Sequence, residues 1–298
     1  MTKEKRHAAD YSPAEVEAAR RVMIEVAQNL GAYADACVLV GGWVPDLLAP
    51  DPEEAYTGSI DVDLALNPER LSGDQYASLL DTLKAKGYQP GEKPFQLRKE
   101  VEIEGRRISV DVDFLAPKGA KMKKHRPKLV PGFRVLEADG CALAFRKPVV
   151  VTLEGQMPDG RHNQVTIRVA AIEDELVMKG YALVGRDKPK DARDIYFCVK
   201  NYSGGPVKLA AALKSRLSEK EVRVGLEHIA GKFRHESDFG PETVARFLDK
   251  PDRADRAFDQ RDAFEQVDRL MLELGLKAPV KTKLKTAKKK SKKKKKKK

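Results

Sequence analysis

The 298-residue sequence predicts an α+β protein: a mixed β-sheet with flanking helices over residues 12–170, an all-helical region over 171–276, and a disordered Lys-rich tail over 277–298. Three observations predict this. Hydrophobic spacing alternates between periods of about 3.6 and 2 before Ala171 and turns uniformly helical after it. Apolar residues make up 41% of the chain, enough for a sizeable core. From Lys281 to Lys298 the chain has 13 lysines and no acid; removing them from the net charge of +12 leaves −1 for the body. A self-repelling segment whose only apolar residues are Leu284 and Ala287 buries almost nothing, so the tail is expected to be disordered.

Ser12-Pro13-Ala14-Glu15 reads as a capping box with Pro at the first helical position, opening a helix from Pro13 to Leu30 that Gly31 ends. A short buried strand, Ala36 to Val40, runs into Gly41-Gly42, and a short helix covers Trp43 to Leu48. A Pro- and acid-rich loop follows. Ser59 to Asn67 alternates strictly, with Ile60, Val62, Leu64 and Leu66 on one side and Asp61 and Asp63 on the other. Ser72 to Lys86 predicts an amphipathic helix. Phe95 to Ile103 and Arg107 to Leu115 predict a hairpin across Glu104-Gly105-Arg106, whose second strand sets Asp111 and Asp113 opposite Val110, Val112 and Phe114. Lys118 to Lys128 is a basic loop. Strands are expected near Ala142 to Phe145, at Val149 to Glu154 and at Gln164 to Val169. Helices are expected over 173–184, 191–201, 207–215, 218–232, 241–248 and 252–274.

No apolar run reaches the roughly 18 to 20 residues that span a bilayer, and the start has no apolar signal core, so a cytoplasmic protein without membrane contact is expected. The three cysteines are scattered and the five histidines show no ligand spacing, which argues against a disulfide frame and against zinc. The chemistry lies in the acids. Residues at i and i+2 of a strand share one face about 7 Å apart. Asp61 with Asp63, and Asp111 with Asp113, therefore place two pairs of hard oxygen donors on two strands. Side by side they would repel without cations, and such donors suit Mg²⁺, or Mn²⁺ in its place. The Gly41-Gly42 pair between strand and helix lets backbone N–H groups approach a phosphate, and Ser59 adds a hydroxyl.

The run Val38-Leu-Val-Gly-Gly-Trp-Val followed by Thr57-Gly-Ser-Ile-Asp-Val-Asp-Leu64 resembles the hallmark of the nucleotidyltransferase fold. Glu175-Leu-Val-Met-Lys179-Gly-Tyr-Ala-Leu183 with Lys190-Asp-Ala-Arg193-Asp194-Ile-Tyr196 is similar to the AbiEii-type nucleotidyltransferases, which include toxins of type IV toxin-antitoxin systems. The resemblance covers roughly residues 38–201 and implies a nucleotidyltransferase-fold sheet with a Mg²⁺-dependent active site. It implies that Gly41, Gly42 and Ser59 hold the triphosphate and that Asp61 and Asp63 bind metal. Asp111 or Asp113 becomes the third carboxylate, Lys179 contacts nucleotide phosphates, and Arg193 and Asp194 complete the pocket wall. The implied partners are an NTP, an RNA (tRNA-like) or protein acceptor, and a cognate antitoxin. The family often has Arg before the Ser of the DxD motif and a second Asp after the Arg-Asp pair; this chain has Thr57-Gly58 and Phe197 there.

Plainer readings stand beside these. Lys179 is otherwise a surface lysine paired with Glu175 at i, i+4, and Arg193-Asp194 a structural ion pair. Trp43 reads as a core anchor, and Tyr181 and Tyr196 as core residues or base-stacking platforms. The tail reads either as a tether for a polyanion through counterion release or as a solubility extension. Two functional alternatives remain: a catalytically degenerate nucleotide- or nucleic-acid-binding protein, and an antibiotic-modifying nucleotidyltransferase.

Overall fold

The computed structural model describes residues 5–49, 56–67, 69–71, 73–119 and 134–277. The tail from 278 and residues 120–128 of the basic loop lie outside the described residues.

Helix α1, Pro13–Leu30, begins as its capping box dictates. The Ser12 hydroxyl accepts from the Glu15 N–H at 3.3 Å, and the Glu15 carboxylate accepts from the Ser12 N–H at 3.1 Å. Its apolar residues Ala18, Val22, Met23 and Val26 are buried against the sheet. Strand β1 is Cys37–Val40, α2 is Trp43–Leu48 and β2 is Asp61–Leu66. Helix α3, Gly73–Ala85, packs beside α1. Strands β3 (Gln89–Pro90), β4 (Gln96–Ile103) and β5 (Arg106–Pro117) follow. The β4–β5 turn consists of Glu104 and Gly105 alone, both at positive φ (50° and 74°), the two-residue geometry whose twist matches its strands.

Strands β6 (Leu136–Ala138), β7 (Val149–Gln156) and β8 (His162–Val169) complete an eight-stranded mixed sheet among the described residues. Its order is β3-β4-β5-β2-β1-β8-β7, with β6 pairing the far end of β5. One expected strand is absent: Cys141–Phe145 is a 3-10 turn. Gly140 at φ 79° swings the chain out of extended backbone just before it, and Cys141, Leu143 and Ala144 are buried there. An apolar run that short carries no periodicity capable of separating turn from strand.

The helical region comprises α4 (Ile172–Gly185), α5 (Pro189–Asn201), α6 (Gly205–Lys214), α7 (Lys220–Lys232), α8 (Phe239–Leu248) and α9 (Arg253–Leu274). Helix α4 packs on α2, α5 and α7, while α5 packs on α2, α6, α8 and α9. Buried side chains from Ala18 to Leu274 form one contiguous core through both halves. Helices α2, α4 and α5 thereby close over the end of the sheet where β1 runs into Gly41. Among the described residues no helix is long and apolar enough to cross a membrane.

Candidate functional site

Register brings the acids together. Strands β2 and β5 pair in parallel with Asp61 opposite Asp111 and Asp63 opposite Asp113. Val62, Leu64, Val110, Val112 and Phe114 are buried in the core, so the alternation sends all four carboxylates to the opposite face.

Two of the four acids have distinct partners from the adjoining strand. Arg98 of β4 grips Asp111 with two hydrogen bonds, Nε to Oδ1 at 2.7 Å and an Nη to Oδ2 at 3.0 Å. Such a bidentate pair neutralises the carboxylate and fixes it. Asp113 instead accepts one hydrogen bond from the neutral Gln96 amide at 2.7 Å. Asp111 is thus tied to a guanidinium, whereas Asp113, opposite Asp63 in register, is held by a neutral amide.

The glycine pair fits this corner because neither position has room for a side chain. A Cβ on Gly41 would stand 2.1 Å from Oδ2 of Asp63, and the residue sits at φ 76°. A Cβ on Gly42 would meet Oγ of Ser59 at 2.5 Å and Nζ of Lys190 at 2.9 Å. The Gly41 N–H donates to Oε2 of Glu175 at 3.0 Å, so the loop is tied to α4. The Ser59 hydroxyl donates to Oδ1 of Asp61 at 2.6 Å, and the Trp43 indole N–H donates to the Asp61 carbonyl at 2.8 Å. Trp43 is buried, as a core anchor should be, and it also pins the strand that carries the acids.

The electrostatics separate the two β2 acids. Burial alone would raise Asp61, but Lys188, the Ser59 hydroxyl, Lys190 and Lys179 outweigh it and hold the carboxyl at about 2. Lys188 Nζ lies 3.6 Å from Oδ2 of Asp61. Burial pushes Asp63 up to about 8, reinforced by the negative charges of Asp61 and Asp113. Burial likewise lifts Asp113, to about 6. Burial and mutual repulsion therefore leave Asp63 and Asp113 with more acid than the local cations offset, so that the protonated forms are favoured. Hard oxygen donors of this kind, packed against Gly41, suit Mg²⁺, which binds through one or two carboxylates and keeps water or phosphate in its other positions. Among the described residues no group of three or more His, Cys, Asp or Glu side chains is placed to hold a metal ion.

Lys179 is not a surface lysine paired with Glu175. Both residues are buried, and Nζ of Lys179 is held between Asp191 Oδ1 at 3.0 Å and Asp194 Oδ2 at 2.7 Å. Arg186 closes on the other side of Asp191 through two hydrogen bonds of 2.7 and 2.9 Å. Lys190 lies 3.1 Å from Oδ1 of Asp194 and bonds to the Tyr56 hydroxyl, which itself donates to Asp194 at 2.7 Å. This network joins α4, α5 and the segment entering β2. Arg193 is buried with its guanidinium over the rings of Tyr196 and Phe197, at 5.4 and 4.9 Å. Tyr196 is buried, and Tyr181 packs edge-on against His228 while its hydroxyl donates to the Glu221 carbonyl. Both tyrosines are packing residues.

Sequence reasoning missed Tyr56, Glu175 as a ligand of the glycine loop, and the basic residues Arg186, Lys188 and Lys190. Their signal was present: cations at i, i+2 and i+4 in the short α4–α5 connection, ending in Pro at a helix start. A cavity of about 90 Å³ lined by Arg6, His7, Asp187, Pro189, Phe239 and Arg246, with Thr243, contains none of the carboxylates. Comparison of the chain with models of known protein families and with curated proteins finds no match.

Proposed function

We propose that this protein is a Mg²⁺-dependent nucleotidyltransferase that moves a nucleotidyl group from an NTP to an RNA or protein acceptor and releases pyrophosphate. One observation carries the reading: parallel register sets Asp113 beside Asp63, next to Asp61, on a face that packs directly against the Gly41-Gly42 turn. Asp61 and Asp63 would hold the ion, which when bound supplies positive charge to the phosphates and to the oxygens entering and leaving phosphorus. In the reaction the acceptor hydroxyl oxygen forms a bond to the α-phosphorus, and the bond from that phosphorus to the bridging oxygen of the β-phosphate breaks. Asp113, oriented by Gln96, takes the hydroxyl proton; a carboxyl raised to about 6 is close enough to neutrality to act as a general base. The acceptor fits the tRNA-like or protein substrates of type IV toxins, for which the Lys179 and Arg193-Asp194 motif is the support.

Incubating the full chain with each α-labelled NTP, Mg²⁺, total RNA, lysate protein and a panel of aminoglycosides tests the proposal. Label is expected in the RNA or protein fraction with the wild type and in no fraction with Asp61→Ala or Asp63→Ala. Full transfer by folded Asp63→Ala protein would remove the enzymatic reading. The Lys188–Asp61 pair favours a second reading, a degenerate binder whose metal position is taken by an ammonium. Calorimetric uptake of NTP with no labelled product in any fraction would select it.

A further inference from the structure

The run from Arg186 to Lys190, which joins α4 to the first turn of α5, carries three cations, and the structure gives them unequal freedom. Lys190 is buried and committed to Asp194 and Tyr56. Lys179, which the family resemblance offers as the phosphate contact, is buried between two carboxylates. Withdrawing its ammonium would break ion pairs to two buried carboxylates at once, so Lys179 does not readily turn to an arriving polyphosphate. Lys188 differs. Its side chain is 29% exposed, and at 3.6 Å its approach to Asp61 is an ion pair too long for a hydrogen bond. Arg186 keeps 51% of its side chain exposed while holding Asp191. Both flank the start of α5, whose dipole also favours an anion.

We infer that the α4–α5 connection is a polyphosphate subsite in which Lys188 exchanges partners, pairing with Asp61 when the site is empty and with the outer phosphates of a bound nucleotide when Asp61 turns to a divalent cation. This assignment rests on the nucleotidyltransferase reading for what lies at Asp61, but the phosphate grip itself is testable without turnover. It gives Lys188 two effects of opposite sign. The ammonium competes with a cation for Asp61 and attracts phosphate, whereas a merely structural residue would weaken both ligands or neither.

The test uses full-length wild type, Lys188→Gln and Lys188→Arg, with inorganic tripolyphosphate and Mn²⁺ as separate probes. Calorimetry in 0.3 M NaCl screens the Lys tail, which all three proteins share. Lys188→Gln should bind tripolyphosphate about tenfold more weakly and Mn²⁺ several-fold more tightly, while Lys188→Arg keeps tripolyphosphate affinity within about threefold. Lys188→Met is the substitute if Gln compromises folding. Unchanged tripolyphosphate binding in the Gln variant, or weaker Mn²⁺ binding, overturns the inference. If wild type transfers labelled nucleotide and Lys188→Gln still binds tripolyphosphate normally, the subsite fails and the enzymatic reading stands. If the paired changes appear and wild type transfers nothing, the subsite stands and the enzymatic reading fails.

Discussion

Asp61 and Asp63 occupy adjacent positions on one strand face, yet the folded protein treats their charges oppositely, and this makes the pair diagnostic. Asp61 is held at about 2, below its ordinary value, once Lys188, Ser59, Lys190 and Lys179 outweigh burial. Its contribution to stability is present above the ordinary carboxylate range and is lost as pH falls toward 2. Asp63 is raised by burial, Asp61 and Asp113 to about 8. The folded state therefore keeps a proton that the unfolded chain has released, and its contribution is lost as pH rises from about 4 through 8. Chemical denaturation at pH 8.5 should thus find Asp61→Asn less stable than wild type by roughly 1–2 kcal/mol and Asp63→Asn more stable by roughly 1–3 kcal/mol, allowing for the solvent that reaches the cleft. Near pH 4 the Asp63→Asn difference should vanish. Equal losses from both variants at pH 8.5 would contradict this charge assignment. The glycines make a parallel statement: Gly42→Ala sets a Cβ 2.5 Å from Ser59 Oγ, and a destabilisation of roughly 1–3 kcal/mol with loss of NTP binding is expected. A titration showing NTP affinity intact in Gly42→Ala would refute the tight corner.

At the scale of elements, β2 and β5 supply the acids, α2 roofs them, and α4 with α5 locks the roof through Lys179, Asp191, Asp194, Arg186 and Lys190. Because the Lys179 pair is buried, truncating it leaves two carboxylates without their shared cation. Lys179→Ala should cost roughly 3–5 kcal/mol, seen as a lowered denaturation midpoint, whereas Arg186→Ala, at a half-exposed position, should cost far less. Equal and small losses in both would show that the network does not clamp the helices. The acid-bearing strands and the glycine turn were legible in the sequence because alternation and the Gly-Gly break are local signals. The capping box at Ser12 and the helix Trp43–Leu48 were legible for the same reason. What escaped was decided by partners distant in sequence. Nothing in the strand itself shows that Arg98 will take Asp111 and leave Asp113, since that follows from the β4–β5 register. The destination of Lys179 depends on how α5 lies against α4, which spacing within α4 does not specify. The turn at Cys141–Phe145 was misread as a strand because its burial is set by the surrounding core.

For the molecule as a whole, charge and fold are separate. The body carries −1 and the 13 lysines of residues 281–298 carry the excess. Ending the chain at Lys277 should leave the denaturation midpoint unchanged and abolish the salt-dependent part of binding to RNA, with the slope of log affinity against log salt falling toward zero. A midpoint shift of several degrees would instead tie the tail to the folded body. The proposed chemistry is narrower than either domain or tail: Asp61 and Asp63 would hold a divalent cation, with Asp113 beside them as the proton acceptor. Crystals grown with Mn²⁺ and a non-hydrolysable NTP analogue test it most directly, through anomalous scattering at the manganese edge. A peak at the carboxylates of Asp61 and Asp63, with the analogue's phosphates beside it, is expected. Manganese bound elsewhere, or an analogue seated in the Arg6–Arg246 cavity with no peak at these aspartates, would contradict it.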